Sequence, residues 1–339
     1  MKVKRIGLDL AKNLFEIYGV DGEERVAVRE TLKRGKVLEY FAQLPPCLVG
    51  MEACGGAHYW ARELAKLGHD ARLMAPQFVA PYRKSNKTDR NDAQAICEAV
   101  GRPSMRFVPV KDEEQQTVTM LHRMRSLLLS ERTALVNQTR GLLGEFGLVV
   151  GQGISRLRRR LPEILEDDEN ALPSLARELF ADLYRRLREL DAKLGEYDQR
   201  IAQLARTSAP AQRLMQVEGV GALTATALVA AAGDGRQFAN GRQFAAWLGL
   251  VPREYSSGGK VRRGRISKRG DVYLRTLLIH GARVVYRYLG ERTDRKSLWL
   301  GQLAARRGVN KAIVALAAKH ARILWALLAK GSAYEPAVA

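Results

Sequence analysis

Hydrophobic positions follow two different periods along the chain, and the change of period divides it. Residues 1–108 carry short apolar runs of strand type alternating with helical spacing. The runs 5–10, 13–20 and 25–31 read as three strands, the last two joined by a turn at Asp21-Gly22. Helical spacing over 36–44 is broken by Pro45-Pro46, and 47–51 reads as a buried strand. An amphipathic helix over 57–67 stops at Gly68, 70–74 reads as a strand and 88–100 as a helix. Three strands followed by alternating strands and helices imply a mixed α/β sheet covered by helices.

The middle of the chain is helical throughout. Leu121, Leu128, Leu135 and Leu142 recur every seven residues. Leu183, Leu187, Leu190, Leu194, Tyr197, Ile201 and Leu204 alternate spacings of four and three, a coiled-coil seam about three heptads long. An intrachain helical hairpin and a coil between subunits both satisfy this pattern. Residues 151–173, with Arg156, Arg158, Arg159 and Arg160 followed by an acidic run over 166–169, read as solvated surface. From about 209 the composition turns to Ala, Gly and Arg. Helices are predicted over 222–232, 241–250, 271–289, 296–307 and 309–328, with a Gly-, Ser- and Arg-rich loop over 252–270. A chain of 339 residues exceeds what one core normally supports. The expected division is 1–108, 109–208, 209–332 and a tail, 333–339.

Charge narrows the partners. Lys and Arg number 56 against 36 acidic residues, a net +20. Such an excess favours a polyanion, because each neutralised phosphate releases counterions. A membrane-surface protein would need a basic amphipathic anchor, and none stands out. An apolar content of 46% excludes bulk disorder. Cys47, Cys54 and Cys97 form no C-x-x-C pair, which suits reduced thiols, and the five histidines are too scattered for a zinc site. Asp9 interrupts the first apolar run too early for a signal peptide, and Lys311, Lys319, His320 and Arg322 make the last apolar stretch a core helix. The expected setting is cytoplasmic and nucleoid-associated, without a membrane.

The candidate chemistry begins with carboxylates. Asp9 ends the strand Ile6-Gly7-Leu8-Asp9-Leu10, and Glu52 ends Leu48-Val49-Gly50-Met51-Glu52. An acid after apolar strand residues is costly unless solvated, paired or metal-bound. Asp89 and Asp92 are three apart and share one helix face, about 4.5 Å apart along the axis. Each acid alone has a structural explanation: a helix dipole for Asp89, a lysine partner for Glu52. Four acids on two strand ends and one helix can also converge. Two Mg²⁺ ions would offset their charge and clamp the attacking and leaving oxygens of a phosphodiester.

These motifs, I-G-L-D-L-A-K, M-E-A-C-G-G and K-T-D-R-N-D-A, resemble the DEDD transposases of bacterial insertion sequences. So do Val217-Glu218-Gly219-Val220-Gly221, residues 241–252, Ser256-Ser257-Gly258-Gly259 and residues 265–271. The resemblance covers nearly the whole chain. It implies an RNase H-like, RuvC-like first domain, long coiled-coil helices and a mostly α-helical C-terminal transposase domain. It also implies a Mg²⁺ site at Asp9, Glu52, Asp89 and Asp92, and a serine that becomes covalently linked to DNA. By motif position that serine is Ser257, with Ser256 the adjacent alternative. Family members use a structured guide (bridge) RNA that pairs with donor and target DNA, and work as tetramers built from dimers.

Read from its own residues, Ser-Ser-Gly-Gly is an ordinary turn. Its neighbours Lys260, Arg262, Arg263, Arg265, Lys268 and Arg269, with no acid among them, suit it to phosphates. No histidine lies near to activate the hydroxyl, so the metal-bound acids are the expected activators, which requires the two domains to meet. Gly219 and Gly221 have helix-hairpin-helix form, exposing backbone N–H groups to phosphate, though a tight turn between packed helices uses the same glycines. Trp247, Tyr255 and Tyr273 could stack on bases or pack in the core. Three functions compete: an RNA-guided recombinase, a junction endonuclease that uses water at the same acids, and a non-catalytic nucleic-acid scaffold.

Overall fold

A computed structural model describes residues 3–84, 86 and 88–335. Lys87 of the K-T-D-R-N-D-A motif, the first two residues and positions 336–339 of the tail lie outside the described residues. The chain forms two compact units, residues 1–115 with 235–239, and residues 116–234 with 240–339.

The first unit is a mixed α/β layer structure. Its strands are β1 (Arg5–Leu10), β2 (Leu14–Val20), β3 (Val26–Lys33), β4 (Leu48–Glu52), β5 (Asp70–Met74) and β6 (Phe107–Val108), in the order β3-β2-β1-β4-β5-β6. The first three form an antiparallel meander, β4 pairs parallel with both β1 and β5, and β6 returns antiparallel. Two-residue β6 is too short to leave a periodic signal. The helices are α1 (Val37–Ala42), α2 (Ala57–Lys66), α3 (Pro76–Val79) and α4 (Asp89–Val100). Strand side chains alternate between faces. Ile6, Leu8, Val49 and Met51 therefore enter one core with Phe15, Phe41, Trp60 and Leu64, on the side of α1 and α2. The opposite face is covered by α4, whose Ala95, Ile96, Ala99 and Val100 pack with Met74, Val79 and Leu48.

The second unit is mostly helical. The long helices α5 (Glu113–Glu145, in this unit from residue 116) and α7 (Ser174–Thr207) lie either side of α6 (Ile154–Glu166) in sequence. The heptad seam of α7 is buried within the chain: Leu187, Leu190, Leu194, Tyr197 and Ile201 are all covered. Leu135, Val136 and Leu143 of α5 and Leu157, Leu161 and Ile164 of α6 share one core with Phe180, Leu187 and Leu190. Arg132 of α5 and Arg158 of α6 both pair with Asp191 of α7. The stretch expected to be solvated surface is thus half helix. The spacing of Leu157, Leu161 and Ile164 sinks one face while Arg156, Arg159 and Arg160 stay exposed.

Six helices and a hairpin follow in this unit: α8 (Ala209–Met215), α9 (Ala222–Ala232), α10 (Gly241–Trp247), α11 (Val272–Arg287), α12 (Arg295–Arg307), α13 (Val309–Lys330), and the hairpin of β7 (Pro252–Glu254) and β8 (Arg263–Ile266). The hairpin corrects the loop expected over 252–270. By length and composition α13 could cross a membrane, and half of its most apolar window is buried in the protein.

A polar relay crosses the second unit. Thr226 Oγ1 donates to the Ala222 carbonyl at 2.7 Å, so it accepts from His122 Nε2 at 3.0 Å. The other ring nitrogen, Nδ1, then accepts from the Tyr273 hydroxyl at 3.0 Å. This fixes one neutral tautomer, and burial pushes the His122 pKa down to about 4. Tyr273, a candidate base-stacking residue, is committed to this relay.

Candidate active site

The acid cluster is assembled by a pair of glycines. In the parallel register of β1 and β4, Gly7 lies opposite Gly50. Two residues further on, each strand carries an acid on the same face as its glycine, Asp9 and Glu52. That face receives α4 directly. A Cβ on Gly7 would fall on the Ala93 carbonyl and within 2.9 Å of Cys97 Cα, and one on Gly50 would lie 2.6 Å from Val100 Cβ. Only glycine permits this approach, and it sets the start of α4 against the strand ends. There Thr88 caps the helix, its hydroxyl accepting from Asn91 N–H at 3.2 Å, and Asp89 and Asp92 occupy the first turn.

Three of these acids bear on the fourth. The Asp9 carboxyl is pushed up to about 6, first by burial and then by the charges of Asp89, Asp92 and Glu52. A hydrogen bond with the Leu10 backbone partly offsets this. Asp92 Oδ1 accepts from Arg83 Nη1 at 2.9 Å. Among the described residues, no three His, Cys, Asp or Glu side chains are drawn together tightly enough to hold a metal as they stand. The charges of Asp89, Asp92 and Glu52 all reach Asp9. As a donor set the four acids are hard anionic oxygens, the chemistry that suits Mg²⁺.

The second candidate centre is the hairpin. Lys260 N–H donates to the Ser257 carbonyl at 3.0 Å, and the two residues between, Gly258 and Gly259, have φ of 54° and 74°. Two left-handed central residues make a type I′ turn, which glycines supply without strain. The turn separates the two serines. Ser256 Oγ donates to Glu254 Oε1 at 2.7 Å and accepts from Arg262 N–H at 3.3 Å. Among the described residues the Ser257 hydroxyl has no protein partner, and Ser257 is exposed. Lys260, Arg262, Arg263, Arg265, Lys268 and Arg269 are all exposed around it, with Glu254 lying 3.8 Å from Arg263.

Sequence reasoning missed the residue that anchors this hairpin. Arg275 of α11 is buried, its Nη1 donating to the carbonyls of Leu248 at 3.1 Å and Arg269 at 3.3 Å. A Cβ at Gly249 would crowd Arg269 and the Arg275 guanidinium, so the two segments flanking the hairpin meet backbone to backbone. The available signal was an arginine in an apolar helix, three residues before core Leu278.

Gly219 and Gly221 separate in role. Gly219, at φ 81°, packs against α11: a Cβ there would lie 2.6 Å from the Gly281 carbonyl oxygen. Gly221, at the start of α9, is exposed and open. Glu218 is tied to Arg292, just before α12, and to Lys296 of α12. Of the aromatic candidates, Tyr255 is exposed, and Trp247 lies against Phe244 with ring centroids 5.4 Å apart.

Acids at strand ends and an arginine-flanked serine turn on a strongly basic chain suit an enzyme that acts on a polyanion. Residues 6–147 match a family of DEDD transposases of IS110 type, and residues 211–297 match the family described as "Transposase IS116/IS110/IS902 family". The chain belongs to this IS110/IS116 family of insertion-sequence transposases, and its activity is DNA transposition. It is 55% identical to a "Probable family 20 transposase" of Pseudomonas aeruginosa, over 99% of this chain and 100% of the relative. It is 46% identical to the transposase for insertion sequence element IS1111A of Coxiella burnetii, over 98% and 91% of the two chains. With the transposase for IS1328 of Yersinia enterocolitica, identity is 40% over 98% of each.

Proposed function

We propose that this transposase is an RNA-guided recombinase with a divalent-metal acid site and a serine nucleophile. The convergence of Asp89, Asp92 and Glu52 on a partly buried Asp9 carries the reading. Asp9, Glu52, Asp89 and Asp92 would hold Mg²⁺, which when bound polarises phosphate oxygens and stabilises the leaving oxygen. The sheet of the first unit, with its antiparallel meander and the following parallel strands, is compatible with an RNase H-like domain. The working division is an acid-bearing domain over 1–108, connecting helices over 109–208 and a serine-bearing domain over 209–332.

In this reading Ser257 is the nucleophile. Its oxygen forms a bond to phosphorus as the bond from phosphorus to a deoxyribose oxygen breaks. The hydroxyl proton passes to a base, and the departing oxygen takes up a proton. The choice over Ser256 is supported by the hydrogen bonds that occupy the Ser256 hydroxyl. The surrounding Lys260, Arg262, Arg263, Arg265, Lys268 and Arg269 would bind phosphates and stabilise charge at the reacting one. Gly221 would offer a backbone N–H to phosphate, with Gly219 positioning the turn. The partners are donor and target DNA, a structured guide RNA and further copies of the chain in dimers or tetramers. The setting is the nucleoid.

Sequencing the nucleic acid that copurifies with the protein tests the guidance. One discrete structured RNA is the expected result. Random fragments, with strand transfer proceeding on DNA alone, would sink it.

A further inference from the structure

One acid of the candidate site, Asp92, already has a cation partner within the chain. Arg83 sits between α3 and α4, outside any helix, with extended backbone at φ −75° and ψ 115°. Its Nη1 meets Asp92 Oδ1 at 2.9 Å, and both side chains are largely covered, at 30% and 14% exposure. The pair is a single N–H···O bond rather than the two-pronged fork that a guanidinium makes with a carboxylate at full strength. Asp92 is fixed by the first turn of α4, whereas Arg83 reaches it on a long side chain from irregular backbone. The half of the pair able to move is the arginine.

We propose that Arg83 is a resident counter-ion of the acid cluster, holding Asp92 in place of a divalent cation and giving way to one. This rests on the metal-site reading above. The same carboxylate cannot serve a guanidinium at hydrogen-bond distance and a small, hard cation at full strength through the same oxygen. Arg83 therefore competes with the ion for Asp92 and neutralises that carboxylate when no metal is bound.

The test is Mn²⁺ binding by isothermal titration calorimetry on the full-length, nucleic-acid-free protein, wild type against Arg83→Gln, Arg83→Lys and Asp9→Asn. Removing the competitor should tighten Mn²⁺ binding about tenfold, the size of one charge-assisted hydrogen bond. Arg83→Lys should fall between wild type and Arg83→Gln. The Mn²⁺-induced rise in melting temperature should be larger for Arg83→Gln than for wild type, and this second readout also verifies folding. Equal affinity in Arg83→Gln and wild type overturns the proposal, and so does weaker binding, which would make Arg83 an organiser of Asp92. If Asp9→Asn abolishes binding in either of those cases, the metal site survives and only the role of Arg83 falls. If neither wild type nor Arg83→Gln binds Mn²⁺, both readings fall.

Discussion

The two candidate centres are built in opposite ways. The acids of the first unit stand on strand ends and a helix start, held by backbone contacts so close that only glycine fits at positions 7 and 50. Ser257 stands on an exposed turn of a two-stranded hairpin whose base is pinned by the buried Arg275. Charge differs as well: the first centre concentrates carboxylates that repel one another, the second gathers exposed cations. Position is enforced by packing in one and by turn geometry plus one long-range clamp in the other. A site that must hold repelling charges needs rigid walls, whereas a nucleophile that must reach a polymer can stand at the surface.

The sharpest way to break this comparison is to relieve the repulsion. Asp9→Asn should lower strand transfer by about 10³-fold, as expected for loss of a ligand at a metal-assisted centre. It should also stabilise the metal-free protein. The folded pKa of Asp9 lies above its ordinary value, so its ionisation costs stability as pH rises from about 4 through about 6. At pH 8 the melting temperature in EDTA should rise by a few degrees, corresponding to about 1–2 kcal/mol after screening. An unchanged or lower melting point would mean that the acids do not strain one another.

At the other centre, Ser257→Ala should abolish covalent protein–DNA adducts on denaturing gels while leaving DNA binding intact. Ser256→Ala should keep them and lower the rate by about tenfold, through loss of its hydrogen bonds to Glu254 and Arg262. The reverse pattern would transfer the nucleophile to Ser256. Arg275→Met removes two hydrogen bonds made by a charged donor and should cost about 3 kcal/mol. Faster proteolysis confined to 249–270 is the accompanying readout, and uniform loss of structure would show that Arg275 is not a local clamp.

A pH effect sharpens the contrast in the second unit alone. His122 and His320 are both buried with pKa values pushed down to about 4. Unfolded, they would titrate near 6.5, so their contribution to stability is full above that pH. It is lost as pH falls from 6.5 towards 4, on the order of 3 kcal/mol for each histidine. Replacing His122 with Gln should flatten the melting-temperature profile across that window. A profile with the same slope would show that His122 is not held neutral.

Much of the first unit was legible because each strand and helix has its own period and stop signal. The four acids were legible for the same reason, since strand ends and a capped helix start can be read locally. The close seat of α4 on the strands depends on Gly7 and Gly50, whose meaning appears only once β1 and β4 are paired. Arg83 left no readable signal, and Arg275 left only an arginine in an apolar helix, because the groups they bind come from other elements. The hairpin over 252–266 was missed because its strands are short and exposed, so no apolar alternation marks them. The leucine seams named their helices correctly but not their partners, since the pattern is the same whether the neighbour is in the chain or in another copy.

The matched glycines also make the enzyme its own quality control. Were β4 to slide by one residue against β1, Glu52 would swing away to the layer of Trp60 and Phe41, and the Met51 side chain would press into α4 instead. A wrongly aligned molecule is thereby disarmed rather than unruly, a useful trait for a protein whose errors would be written into a chromosome.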